Sequence, residues 1–226
     1  MIPISEFATR EAMLAAAAAR IAKALDSAIA QHGAGCAALS GGGTPEPAYR
    51  AFASMPLDWP KVTFLQVDER FVPPSDDASN EKMLRRALSA ALGAGARLLP
   101  MFAQNATFRE AANLADRAYA GQRIGVAVLG MGEDGHTASW FPNSPDLDAV
   151  LDINNARTVA AVHAPGAAGS EHRLTLTRSA LVKADAALLL IAGEAKRDRL
   201  ASADGQAPVQ AMFAQGAPGV EVLWAP

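Results

Sequence analysis

Apolar residues in this chain follow two rhythms. Over residues 5–31, Phe7, Leu14, Ile21, Leu25 and Ile29 recur at helical spacing with charges between them, which predicts one long helix. His32-Gly33 closes it, glycine being the usual residue past a helix end. After that the apolar residues gather into short runs at 36–39, 62–67, 124–129, 159–162 and 186–192, with the alternating Leu174-Thr-Leu-Thr177 between the last two. Each run is the length of one buried strand. A last edge strand is expected at 221–224. Helices are expected between the runs: one beginning at Pro45, one capped by Ser79 or Asn80 and running to about Leu92, one over 109–120, and a short one within 146–157. Strands that alternate with helices and are apolar on both sides imply a mostly parallel sheet covered on both faces. The expected architecture is an α/β, three-layer single domain over residues 1–226, with an antiparallel edge or small cap near the C-terminus.

Composition narrows the function. Half the residues are hydrophobic and 19% are charged, as in soluble globular proteins. The formal net charge of −3 favours neither nucleic acid nor an anionic membrane as partner. An anionic ligand must therefore be held by local basic groups. The single cysteine, Cys36, excludes an intrachain disulfide and sits in an apolar run as a small buried hydrophobe. The four histidines and Cys36 lack metal-ligand spacing, so no metal is expected. The alanine run 15–19 follows Glu6, Arg10 and Glu11, which suits a helix and not a signal peptide. No apolar run approaches a membrane span, and a cytoplasmic protein is expected.

The densest candidate chemistry is GMGEDGHTASWFP, residues 130–142, directly after the run 124–129. Its glycines allow a tight, open backbone into which Glu133, Asp134 and His136 project. A histidine moves protons near neutral pH, and a nearby carboxylate sets its tautomer. The stretch satisfies G-x-G-x-x-G, yet a dinucleotide site fits poorly: two acids occupy the loop, and Pro142 stops any following helix. A second glycine stretch, Ser40-Gly41-Gly42-Gly43-Thr44-Pro45, reads as an anion site or as a plain turn, and has no Walker lysine. Asp68-Glu69-Arg70 after the run 62–67 is either a solvated edge or a set of functional groups delivered to the sheet's carboxyl end.

Three stretches together, LSGGGTP (39–45), VDERFVPPSDDASN (67–80) and GMGEDGHTASWFP (130–142), resemble 6-phosphogluconolactonases, within the larger family that includes glucosamine-6-phosphate deaminases. HRLTLT (172–177) and IAGEAK (191–196) add weaker support. Gly43 and Trp140 depart from the usual pattern, and Trp140 is expected to reshape the pocket wall. The resemblance implies the Rossmann-like fold shared with the deaminases. It also implies hydrolysis of a phosphorylated sugar lactone without metal or organic cofactor; no obligate protein partner is evident in the sequence. Carried over by position, His136 is the general base. Asp134, or Asp68, orients or charge-balances it, and Arg70 faces the carbonyl or its oxyanion. Ser40, Gly41, Gly42, Gly43, Thr44, Arg173 and Lys196 hold the phosphate. Phe141 stands where the deaminases carry a glutamate for ring opening. No G-x-S-x-G elbow signals a covalent nucleophile.

Overall fold

In the computed structural model, which describes residues 2, 4–202, 207–214 and 219–226, all the apolar runs become strands, most of them in one parallel sheet and those at 159–162 and 174–177 in a second, antiparallel one. The strands are β1 Ile4–Glu6, β2 Gly35–Leu39, β3 Val62–Gln66, β4 Asp68–Arg70, β5 Arg97–Leu98, β6 Val126–Gly130, β7 Val159–His163, β8 His172–Leu176, β9 Ala187–Ala192 and β10 Val220–Ala225. Seven of them form the main sheet in the order β1-β10-β9-β6-β2-β3-β5, every neighbouring pair parallel.

Side chains alternate across these strands, and the alternation divides the interior into two cores. Ala37, Leu39, Phe64, Val126, Val128, Leu188 and Leu190 face one side. There they meet Met13, Ile21 and Leu25 of helix Arg10–His32, together with helices Glu46–Phe52 and Asn80–Ala87. Cys36, Ala38, Leu65, Ala127, Leu129, Leu189 and Ile191 face the other, against helix Phe108–Tyr119 and a small second sheet. The continuously apolar runs are thus strands buried on both faces of a three-layer α/β protein.

The structure departs from the expected elements at several places, and long-range strand pairing accounts for those at the two chain ends and in the antiparallel sheet. The first helix starts at Arg10, where Thr9 accepts a hydrogen bond from the Ala12 N–H, and not at residue 5. Ile4–Glu6 instead pairs in parallel with Val222–Trp224. The C-terminal strand is therefore internal, and β1 takes the edge that was expected of residues 221–224. The helix expected to reach Leu92 breaks into Asn80–Ala87 and Ser89–Gly93. The antiparallel portion is a separate three-stranded sheet, β4-β8-β7, drawn from the middle of the chain and not from its end. Helix Glu46–Phe52 begins one residue after Pro45. Gly33 ends the first helix at φ 78° as expected, its N–H reaching the Ile29 carbonyl. Among the described residues no helix is long and apolar enough to cross a membrane.

The strand order fixes where a ligand can sit. From β2 the chain continues to β3 on one side, and the later strand β6 lies on the other. Loops leaving β2 and β6 diverge at this switch point and open a crevice at the carboxyl ends of the strands. Both glycine stretches are those loops.

Candidate active site

The crevice is a cleft of about 240 Å³ lined by Ser40, Gly41, Gly42, Gly43 and Thr44 after β2, Asp68 and Arg70 of β4, and His136 after β6. Arg173 of β8 and Lys196 of helix Glu194–Ala201 complete the set of residues expected there. Of the expected residues only Asp134 is not on the wall, and it is bonded to one that is.

Asp134 Oδ1 lies 2.6 Å from His136 Nδ1 and also accepts the His136 backbone N–H at 3.1 Å. Burial works to raise the Asp134 carboxyl, but these bonds to His136 outweigh it and hold the group below its usual range. An ionised carboxylate only accepts, so Nδ1 carries a proton, and in the neutral imidazole that leaves the lone pair on Nε2. Asp68, the alternative partner expected for His136, is engaged elsewhere. Its Oδ2 accepts from Ser139 Oγ at 2.7 Å, and Asn80 Nδ2 donates to its backbone carbonyl at 2.9 Å.

The turn carrying His136 is tight. Gly132 N–H bonds the His136 carbonyl, Thr137 Oγ1 donates to the Gly130 carbonyl at 2.8 Å, and Ala138 sits in the left-handed region at φ 50°. Trp140 does not shape the pocket. It is wholly buried in the core, its indole N–H donating to the Leu176 carbonyl at 2.9 Å, and the expectation of a changed wall is withdrawn. Phe141 does reach the site, its ring stacked on that of His136.

Cationic groups arrive from three elements. Arg70 donates from Nη1 to the Ala78 carbonyl at 2.6 Å. Arg173, nearly fully buried, spends two N–H groups on the Ala168 and Ser170 carbonyls. Burial lowers the Arg173 guanidinium pKa and Arg70 adds to this, while Asp68 and Glu69 oppose it. A guanidinium stays protonated at neutral pH regardless. Lys196 makes no ion pair among the described residues. Two buried side-chain atoms lack a hydrogen-bond partner among the described residues, Ser40 Oγ and Arg70 Nε. Both belong to residues lining the cleft. Buried polar groups are nearly always paired, so these two atoms are available to a group bound in the cleft.

Sequence reasoning missed two residues. Asn80 was read as a possible helix cap, but Ser79 is the cap and Asn80 lines the cleft. Glu69, given no role of its own, is fully buried and accepts from Gln66 Nε2, Ser79 Oγ and the N–H groups of Arg70, Asn80 and Glu81. Burial raises its carboxyl pKa against these bonds. Its signal was present: an acid between two charged residues, eleven positions before a helix start. Among the described residues no group of three or more His, Cys, Asp or Glu could hold a metal ion.

A parallel sheet with its cleft at the switch point, lined by two glycine loops and a carboxylate-held histidine, defines a Rossmann-like α/β protein with a small-molecule site. The chain belongs to the family of glucosamine-6-phosphate isomerases and 6-phosphogluconolactonases, whose model matches residues 8–224. It is 40% identical over 226 residues to a 6-phosphogluconolactonase of Caulobacter vibrioides, covering 99% of this chain and 97% of that protein. Against a 6-phosphogluconolactonase of Rhizobium meliloti the identity is 39% over 227 residues, with 97% of each covered. A crystal structure of a 6-phosphogluconolactonase from Shewanella baltica superposes with a TM-score of 0.92 at 31% identity, covering 100% of this chain and 98% of that one.

Proposed function

We propose that this chain hydrolyses 6-phospho-D-glucono-1,5-lactone to 6-phospho-D-gluconate, a step of the oxidative pentose phosphate pathway. The observation that carries the reading is the His136 imidazole, bonded to Asp134 through Nδ1 while its ring lines the cleft. That arrangement suits a general base that takes a proton from water through Nε2. The hydroxide equivalent attacks the lactone carbonyl carbon, and Arg70 meets the developing oxyanion. Collapse of the tetrahedral intermediate breaks the bond to the ring oxygen, which recovers the proton from the imidazolium. The Asp134 carboxylate balances the imidazolium charge between the two transfers.

A lactone is an activated ester, so the scheme needs neither a covalent nucleophile nor an organic cofactor. The phosphate is assigned to the loop Ser40–Thr44 with Lys196 and Arg173, whose charges stand out locally in a chain of net charge −3. Arg173 contributes mainly its field, since part of its donor fork is already used.

The family also contains isomerases acting on an amino-sugar phosphate. Opening a sugar ring requires proton relay between the ring oxygen and O1, and the phenyl ring of Phe141 relays no proton. Purified protein should release no ammonia from glucosamine 6-phosphate at concentrations that clear the phosphorylated lactone rapidly. Ammonia release at a comparable rate would move the assignment to the isomerase side.

A further inference from the structure

The imidazole of His136 is confined by three groups. Asp134 fixes Nδ1. A Cβ on Gly132 would lie 2.2 Å from Nδ1 and 2.3 Å from Cε1, so the Gly132 backbone closes on that edge of the ring. Phe141 supplies a flat surface: the two ring centroids are 4.2 Å apart and the planes differ by 28°. The Arg173 guanidinium lies 5.4 Å from the Phe141 centroid, so one phenyl ring touches both the imidazole and a cation of the cleft.

We propose that Phe141 is a positioning residue that sets the plane of the His136 imidazole and ties that plane to Arg173. The inference rests on His136 being the general base. A bond at Nδ1 alone leaves the ring free to swing, because the second side-chain torsion of histidine has broad wells. Gly132 restricts one edge but offers no plane to lie on. A stacked aromatic ring removes the remaining swing and keeps Nε2 directed at the cleft. The same ring favours a guanidinium near its face, so Arg173 and His136 hold their places through one shared neighbour. Phe141 exchanges no proton and takes no part in bond making.

The test uses Phe141→Leu, which fills similar space without a flat ring, and Phe141→Tyr, which keeps the ring. Both are first checked for cooperative unfolding. Displacing a reacting group by an ångström costs about 10²-fold, so Phe141→Leu should lower kcat by roughly 10- to 100-fold. KM should rise only a few-fold, because Arg173 loses the phenyl ring but keeps its bonds to the Ala168 and Ser170 carbonyls, and Phe141→Tyr should restore most of kcat. Nitrogen-15 NMR relaxation of the imidazole gives a readout independent of turnover: a rigid ring in the parent and in Phe141→Tyr, a mobile one in Phe141→Leu. Full kcat with unchanged imidazole relaxation in folded Phe141→Leu would overturn the proposal, as would an equal loss in Phe141→Tyr. A His136→Gln control separates the two readings. Full activity there removes the base itself, whereas an inactive control beside a fully active Phe141→Leu removes only the role of Phe141.

Discussion

The three consecutive glycines of the loop after β2 should respond to alanine in three different ways. At Gly41 an added Cβ would fall 1.8 Å from Asn80 Oδ1 and 2.2 Å from its Cγ, inside any possible contact. Asn80 has little room to retreat, being 3% exposed and bonded through Nδ2 to the Asp68 carbonyl at 2.9 Å. Gly41→Ala therefore has to break that bond and leave a buried donor and acceptor unmatched, at a cost of about 1–3 kcal/mol. For a chain of this size that is a fall of roughly 2–12 °C in Tm. It also displaces Asp68 and the cleft wall, so kcat/KM should fall with stability. Gly42 meets only a distant Pro45 atom but sits at φ 102°, so alanine there is strained in the backbone and costs about 1 kcal/mol or more. Gly43 has ordinary φ and nothing within 4 Å, so alanine should leave stability unchanged or raise it by about 0.4–1 kcal/mol. Thermal and urea unfolding of the three variants, alongside lactone turnover, gives the comparison. A Gly41→Ala protein as stable and active as the parent would refute the argument from close approach. So would a Gly43→Ala protein that is the least stable of the three.

Two further outcomes concern charge. Lys196→Met should weaken binding of the phosphorylated lactone by about 1.5–3 kcal/mol and leave an unphosphorylated lactone almost unaffected, read as separate KM values; equal losses on both would mean a structural role. Burial works to raise the Asp134 carboxyl, but its bonds to His136 hold it below its usual range, so it is ionised at neutral pH. Asp134→Asn removes the ionised acceptor that holds the Nδ1 proton, so kcat should drop while KM changes little; an unchanged kcat would break the link between Asp134 and the base.

What could be read from the sequence divides along the range of the interactions involved. The buried strands were legible because β2, β3, β6 and β9 are apolar on both faces, a pattern contained within each run. Ile4–Glu6 was not, because three residues carry no period and their strand character comes from pairing with residues more than two hundred positions away. Asp68–Arg70 looks like a charged loop and becomes a strand only because β8 lies beside it in antiparallel register. The residues of the cleft were legible as types at the ends of strands. Their partners were not: two carboxylates suited His136 in sequence, and the turn geometry alone selects Asp134 over Asp68. Trp140 misled because it stands next to Phe141, which stacks on His136, while its own indole finds a carbonyl in the core. Asn80 was passed over because a cap position has a simpler explanation than a cleft wall.

The central claim is that His136 activates water against a phosphorylated lactone. The direct measurement is steady-state hydrolysis with glucose-6-phosphate dehydrogenase generating the lactone in place and spontaneous hydrolysis subtracted, on the parent protein and on His136→Ala. The parent should hydrolyse the lactone, and the folded variant should lose about 10² to 10⁴ in kcat. A folded His136→Ala protein that keeps the parent's kcat would contradict the account.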